Sequence, residues 1–459
     1  MYISNIYEYE NYDEKQKLIL NNWYETCCIN DEFDIHDIYY ELKANGLSVN
    51  MANLTFDRYT NIEINHFEIE GKPANFEFHE NKMRFNIQLK NLEHKKIHIT
   101  YKEYPLFKKM TENQKEIRNI YRKKYYGLSY RLAGQKAKYI LINSSSFEII
   151  NFEDEHFIKN EMSVYDEYQW QGIVPEYGKE TLVRLSKKEA HIKFYEKYIL
   201  KTLDNSFITN SSIKIAYCYK GGNNTLIKYS YKSKQNAYIK LNEAKKVFEV
   251  SFIDTKSPIG EFILEGELIN SCKGEWVINL TDEEIENLVP PDYKTNKEQF
   301  KNIALDIIKK YDQEHREYTV FVHDVVKIGK WVHKNIKYDL SYTGLNEKTA
   351  TETYVERKGI CHHITKLFNA LMYSLGYQVL YILGYIIDKT KSFSRRDSWA
   401  WNLIKIDGSW LPFDATIGIF TGKLPVTYVF KQIEDKIIEP IICYDKVEFE
   451  QIEVKGNFI

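Results

Sequence analysis

The chain has 459 residues, 43% of them apolar, which is enough for two or three domains with sizeable cores. Its 63 basic and 65 acidic residues leave a net charge of −2 and no basic block, which argues against nucleic acid or an anionic membrane as a partner. No stretch approaches the roughly 20 consecutive apolar residues of a membrane helix.

The start, "MYISNIYEYENYDEKQKL", has no apolar h-region, so a secretory signal is not expected. Cys27, Cys28, Cys218, Cys272, Cys361 and Cys443 are sparse, and the adjacent first pair matches neither a zinc motif nor a usual disulfide. A reducing, cytoplasmic setting follows as the expectation. No metal site and no cofactor are expected.

Residues 1 to about 45 are polar with helical patches, as in "NYDEKQKLILNNWYETC". From Leu47 to Tyr104 the pattern alternates with period 2, as in "NIEINHFEIEG" and "KKIHITYKEY", which predicts half-buried strands. These make a helical and β region over 1–105. "TENQKEIRNIYRKKYYG" predicts a charged helix with Thr111 as N-cap and Gly127 as stop.

Short strands then run from about 128 to 285, with a hairpin turn at the Gly-Gly-Asn-Asn tract of 221–224. They make a β-rich domain over 106–290. Many short strands with regular turns predict β-sandwich-like N-terminal domains. Pro290 and Pro291 mark the next boundary.

Beyond it the pattern turns helical, in "NKEQFKNIALDIIKKYDQ", "VHDVVKIGKWVHKNIKYD" and "KGICHHITKLFNALMYSLGY". Strands follow in "YQVLYILGYIID" and "DSWAWNLIKIDGSWLPFDAT". Helices first and antiparallel strands after predict an α+β domain over 291–459, whose tail adds a last strand.

Two pieces of this domain carry chemistry. In the helix after Gly359, Ile364, Leu367, Phe368, Leu371 and Leu375 form a buried stripe, stopped by Gly376. Cys361 opens that helix about 60° from the stripe centre, whereas His362 lies about 160° away and His363 about 100° away. Unpaired N–H groups and the helix dipole favour a thiolate at such a position. A cysteine there also reads as a small buried hydrophobe. Adjacent helical residues point apart, so Cys361-His362-His363 does not make a metal site.

The second piece is the hairpin. Asp407-Gly408 is a two-residue turn signal, so Ile406 pairs with Ser409 and Trp401 falls opposite Asp414. Trp399 then lies diagonally across from Asp414 on the same face. The tryptophans at 399, 401 and 410 also read as core filling, and Asp414 as a turn former.

Taken together, residues from about Val325 to Gly422 resemble the transglutaminase-like superfamily, which shares the papain-like cysteine fold. "IGKWVHKNIKYD" is similar to the helix leading to the family's Tyr-Asp. "ERKGICHHITKLFNALMYSLGY" is similar to its nucleophile helix, and "WAWNLIKIDGSWLPFDAT" to its His-Ala-Trp strand, hairpin and Asp-x-Thr. The resemblance implies Cys361 as the acyl-forming nucleophile and Asp414 as the residue that orients a His. Trp399 stands where that His belongs. Indole N–H only donates and cannot take the thiol proton. Tyr338, Tyr342 and Tyr354 are candidates for the side-chain donor of the oxyanion hole. His333 is the candidate for a substitute base, whereas His362 and His363 turn away from the hairpin.

The expected architecture is therefore multidomain, with β-sandwich-like N-terminal domains before a transglutaminase-like α+β domain. The expected function is a catalytically impaired member that binds a protein or peptide in the former cleft, with Trp399 and Trp401 as aromatic anchors. The alternative is an active cysteine acyltransferase, amidase or protease, acting on peptide or glutamine amides through a Cys361 thioester.

Overall fold

The computed structural model describes residues 17–45, 49–55, 61–79, 82–104, 121–128, 134–152, 157–159, 166–176, 178–216, 223–235, 237–242, 247–272, 274–314, 322–342, 348–387, 392–394, 397–433, 438–443 and 447–458. They fall into two compact units that divide between Leu185 and Ser186, except that Tyr121 groups with the second. Sequence patterning sets boundaries at 105 and 290, where the spatial division does not fall. The pairing of strands gives the reason: Lys136–Asn143 runs parallel beside Lys17–Ile29, so residues on both sides of 105 share one sheet. Likewise Val447–Phe458 pairs along Glu189–Thr202, which ties the chain's tail to strands far upstream.

The first unit is built of strands. Its eight-stranded sheet has the order Ile158–Lys159, Asp166–Ile173, Lys136–Asn143, Lys17–Ile29, Asp34–Asn45, His94–Tyr104, Asn61–Ile69, Lys72–Pro73. Two three-stranded sheets accompany it, one around Lys82–Leu89 and one around Lys179–Lys187. Trp23, Tyr40, Phe85, Ile99 and Leu141 share its buried core.

Two expectations are corrected here. Lys17–Ile29 is a strand, not helical. A bulge between Asn21 and Tyr24, with Asn22 at φ +50°, interrupts the alternation that would have marked it. Tyr121–Leu128 is also a strand, although its Arg-Lys-Lys run reads as a helix surface. The proposed N-cap Thr111 lies outside the described residues, as do Gly221 and Gly222 of the expected turn.

The second unit begins with two facing sheets. One has the order Asn224–Ser233, Ile259–Ser271, Glu189–Thr202, Val447–Phe458, Ser392–Ser394, and the other Ala237–Asn242, Val247–Ile253, Asn210–Ala216, Ile438–Cys443. Phe248 joins them, with its ring 5.7 Å from that of Tyr229 and 5.9 Å from that of Phe262.

Helices Asp282–Leu288, Pro291–Thr295, Lys297–Glu314, Asp324–Asn335, Ala350–Glu356 and Cys361–Ser374 follow. Thr281 and Thr349 start two of them with capping boxes closed by Glu284 and Glu352. The Cys361 helix packs on an antiparallel sheet ordered Ser409–Phe413, Ser398–Ile406, Val379–Ile386, Tyr428–Ile433. Ile364, Leu367, Phe368 and Leu371 enter the core with Ile328, Ile404 and Phe413, as the stripe requires.

The helical part and the facing sheets are joined by a buried ion pair. Lys431 Nζ lies 2.6 Å from Glu196 Oε1, and both side chains are at most 1% exposed. Among the described residues, no helix is long and apolar enough to cross a membrane.

Candidate active site

Cys361 is the first residue of its helix, after the extended Ile360 at φ −96°, ψ 179°. The sulfur is buried. Three donors surround it: the backbone N–H groups of Ala400 and His362, and the Tyr338 hydroxyl. A short parallel ladder puts Tyr338 there. Lys337–Tyr338 pairs with Lys358–Gly359, two residues before the cysteine. The Tyr338 hydroxyl also lies beside the backbone N–H of Cys361.

These donors favour a thiolate, but they are outweighed. Burial, with the Asp414 charge adding to it, pushes the Cys361 thiol up to about 12. Burial and the sulfur's own negative charge likewise push the Tyr338 phenol up.

The hairpin has the register read from Asp407-Gly408. Ile406 pairs with Ser409 and Asn402 with Phe413. Asp407 and Gly408 have φ of +49° and +86°, the left-handed pair that a two-residue turn needs. One step past Phe413, Asp414 is fully buried. Trp399 Nε1 donates to its Oδ2 at 2.8 Å, and the Tyr428 hydroxyl donates to the same oxygen at 2.7 Å. Oδ1 accepts the backbone N–H of Thr416 at 2.7 Å and of Ile417 at 3.2 Å. Burial raises the Asp414 carboxyl, and these donors, led by Tyr428 and Trp399, pull it back in part.

The indole of Trp399 is half-buried and stacks on Tyr338, with ring centroids 5.7 Å apart and planes at 23°. The cysteine, tryptophan and aspartate are thus one cluster, roofed by Tyr338. The three hydrogen-bonding groups beside the sulfur are two backbone N–H groups and a phenol, and no imidazole is among them.

The other candidates lie elsewhere. Trp401 is fully buried, edge-on to Tyr428 at 5.3 Å, so its ring fills core and offers no cleft surface. Its ring packs against the backbone of Gly384, where an added Cβ would meet it at 2.4 Å. His333 faces the carbonyls of Ala415 and Thr416 at 3.2 and 3.1 Å, pinning the turn after Asp414. His362 bonds Tyr381. His363 accepts the Ile360 N–H at 3.3 Å, and burial, with the nearby His362 charge, lowers its imidazole to about 4. Of the three tyrosine candidates only Tyr338 reaches the sulfur. Tyr342 donates to Glu356 at 2.9 Å, and Tyr354 stacks with Trp331.

Sequence reasoning did not find Tyr428. It belongs to a strand paired with Val379–Ile386, and no motif links it to the hairpin. A cavity of about 510 Å³ lined by Pro291, Tyr293, Lys366 and Tyr381 includes none of Cys361, Trp399 or Asp414.

Comparison with known proteins agrees on the domain. Residues 306–415 match the family model of the transglutaminase-like superfamily, so the chain carries a transglutaminase-like domain there. No curated protein matches the chain. Among solved structures it is similar to a candidate cysteine protease from Cytophaga hutchinsonii, at 15% identity and TM-score 0.36, over 59% of this chain and 98% of that one. It is also similar to an M1 zinc metallopeptidase from Deinococcus radiodurans, at 11% identity and TM-score 0.26, over 38% and 43%. A third is the leukotriene A4 hydrolase of Saccharomyces cerevisiae, at 9% identity and TM-score 0.24, over 38% and 30%. The chain spans less than half the length of the last two.

Proposed function

We propose that the transglutaminase-like domain binds a protein or peptide segment at the Cys361 cleft and has lost the acyl-transfer chemistry of its scaffold. One observation carries this reading. Trp399, at the position where the family's motif has His, donates its indole N–H to Asp414 at 2.8 Å. The bond an imidazole would make to the orienting carboxylate is already made, by a ring with no lone pair for the thiol proton. Nucleophilic attack by Cys361 needs the thiolate, and burial holds the thiol neutral at physiological pH.

What remains suits recognition. Trp399 and Tyr338 form a stacked aromatic pair with Tyr338 38% exposed, a surface of the kind that anchors peptides. Trp401 has no part in this surface, because it is buried.

The test is a panel of glutamine-containing peptides offered to the wild type. Binding should be measured by fluorescence anisotropy and acylation by intact mass. The expected result is binding that Trp399→Ala weakens at least tenfold, with no mass gain on Cys361. A Cys361 acyl adduct in the wild type would overturn the reading and favour the active acyltransferase.

A further inference from the structure

The eight-stranded sheet of the first unit holds a second set of chemically matched side chains. Register brings them together. Glu68 pairs with His98, and His98 pairs on its other side with Tyr39. In the next row of the same face, His66 pairs with Thr100, and Thr100 with Asp37. Side chains alternate across a sheet, so these six residues share one face while Phe67, Ile97 and Ile99 fill the buried one.

The distances are specific. His66 Nε2 lies 3.1 Å from Glu68 Oε1, and His98 Nδ1 lies 3.7 Å from Glu68 Oε2. His98 Nε2 lies 2.6 Å from Asp37 Oδ1, which also accepts the Thr100 hydroxyl at 3.0 Å. Tyr39 lies flat on the His98 ring at 4.0 Å and 7°. Ligand atoms of His66, Glu68 and His98 all fall within 4.8 Å of one another.

Asp37 can only accept, so the short contact assigns the ring proton of His98 to Nε2. In that tautomer Nδ1 presents a lone pair toward Glu68, which is also an acceptor. A proton between them would draw the pair to a charge-assisted bond of about 2.8 Å. The observed 3.7 Å is too long for one. A metal ion fits better. Ligand bonds of about 2.0–2.1 Å in a tetrahedron set neighbouring ligand atoms about 3.3 Å apart. The 3.1 and 3.7 Å separations, one to each Glu68 oxygen, lie on either side of that value, and with one ligand atom per residue the three atoms lie within 4.8 Å, so the side chains draw in by about an ångström around an ion.

We propose that His66, Glu68 and His98 bind a divalent first-row transition ion of the zinc type. Two imidazoles and one carboxylate are the donors such ions take, whereas calcium and magnesium prefer oxygen alone. Asp37 is the positioning residue: it holds the His98 tautomer, as carboxylates behind metal-bound histidines do. Tyr39 and Thr100 fix the ring and the carboxylate in turn. The side chains are 42%, 24% and 20% exposed for His66, Glu68 and His98, so an ion enters directly from solvent. The fourth position faces that solvent and takes water.

The test is calorimetric titration of the chelator-stripped full chain with Zn²⁺ near neutral pH. Co²⁺ absorption serves as the second readout. The expected result is one saturable site, lost in His98→Ala and in His66→Ala. Asp37→Asn should weaken affinity about 10–100-fold without removing the site. Metal-free melting curves establish that each variant folds. Should one fail to fold, protection of His66 and His98 from diethyl pyrocarbonate by Zn²⁺ in the wild type decides the matter. No saturable site, a site indifferent to both alanine variants, or histidines that zinc leaves unprotected would overturn the proposal.

Discussion

Iodoacetamide offered to Cys361 at stepped pH reads the proton affinity of its sulfur. An ordinary thiol near 8.5 is about one quarter thiolate at pH 8. Cys361 is pushed up to about 12 by burial and by Asp414. At that value the thiolate fraction at pH 8 is about 10⁻⁴, so the rate should fall about three orders of magnitude below that of glutathione. Obstruction by Tyr338 slows it further. The logarithm of the rate should climb one unit per pH unit to pH 10 without a plateau. The assay is the time course of the modified Cys361 peptide by mass spectrometry, with Cys361→Ser as the blank. Rapid alkylation with a plateau between pH 5 and 7 would refute the reasoning. That profile needs a cation beside the sulfur, and the cluster contains none.

Three further outcomes follow from packing and charge. In the first unit, burial alone would raise Glu103, but Lys124 and His36 hold it at about 2, below its value of about 4.3 in the unfolded chain. Its stabilisation is therefore present above about pH 4.3 and fades as pH falls toward 2, an effect of about 3 kcal/mol at most; Glu103→Gln should flatten the acid limb of thermal melts. Gly384→Ala would place a Cβ 2.2 Å from the Val429 carbonyl oxygen and 2.4 Å from the Trp401 ring, and should cost about 1–3 kcal/mol or more in denaturant melts. Glu196→Gln strands the Lys431 ammonium in the core and should cost about 3–5 kcal/mol, most of it recovered by Glu196→Leu with Lys431→Met.

The parts of the fold that local rules govern were legible in the sequence. Asp407-Gly408 dictates a turn with two positive φ angles, and that turn alone sets the register bringing Trp399 to Asp414. The Ile364 to Leu371 stripe dictates which way the Cys361 helix faces. Nonlocal pairing was not legible. Lys17–Ile29 is a central strand whose bulge at Asn22 erases the period-2 signal. Tyr338 reaches Cys361 only because two residues of ladder pair across a helix. Burial of Trp401 depends on the close approach that Gly384 permits. His66, Glu68 and His98 meet only through strand register, and no spacing along the chain announces them.

The central claim is that an indole occupies the place of the catalytic base. It is tested most directly by measuring turnover of a glutamine-peptide amide in the wild type and in Trp399→His, each with and without Cys361→Ser, after melting curves show that all four fold. An imidazole at 399 can donate to Asp414, as the indole does at 2.8 Å, and present its other nitrogen to the sulfur. The account predicts no Cys361-dependent turnover in the wild type and a gain on the order of 10²–10⁴-fold in Trp399→His. Wild-type turnover abolished by Cys361→Ser, with no gain in Trp399→His, would contradict it.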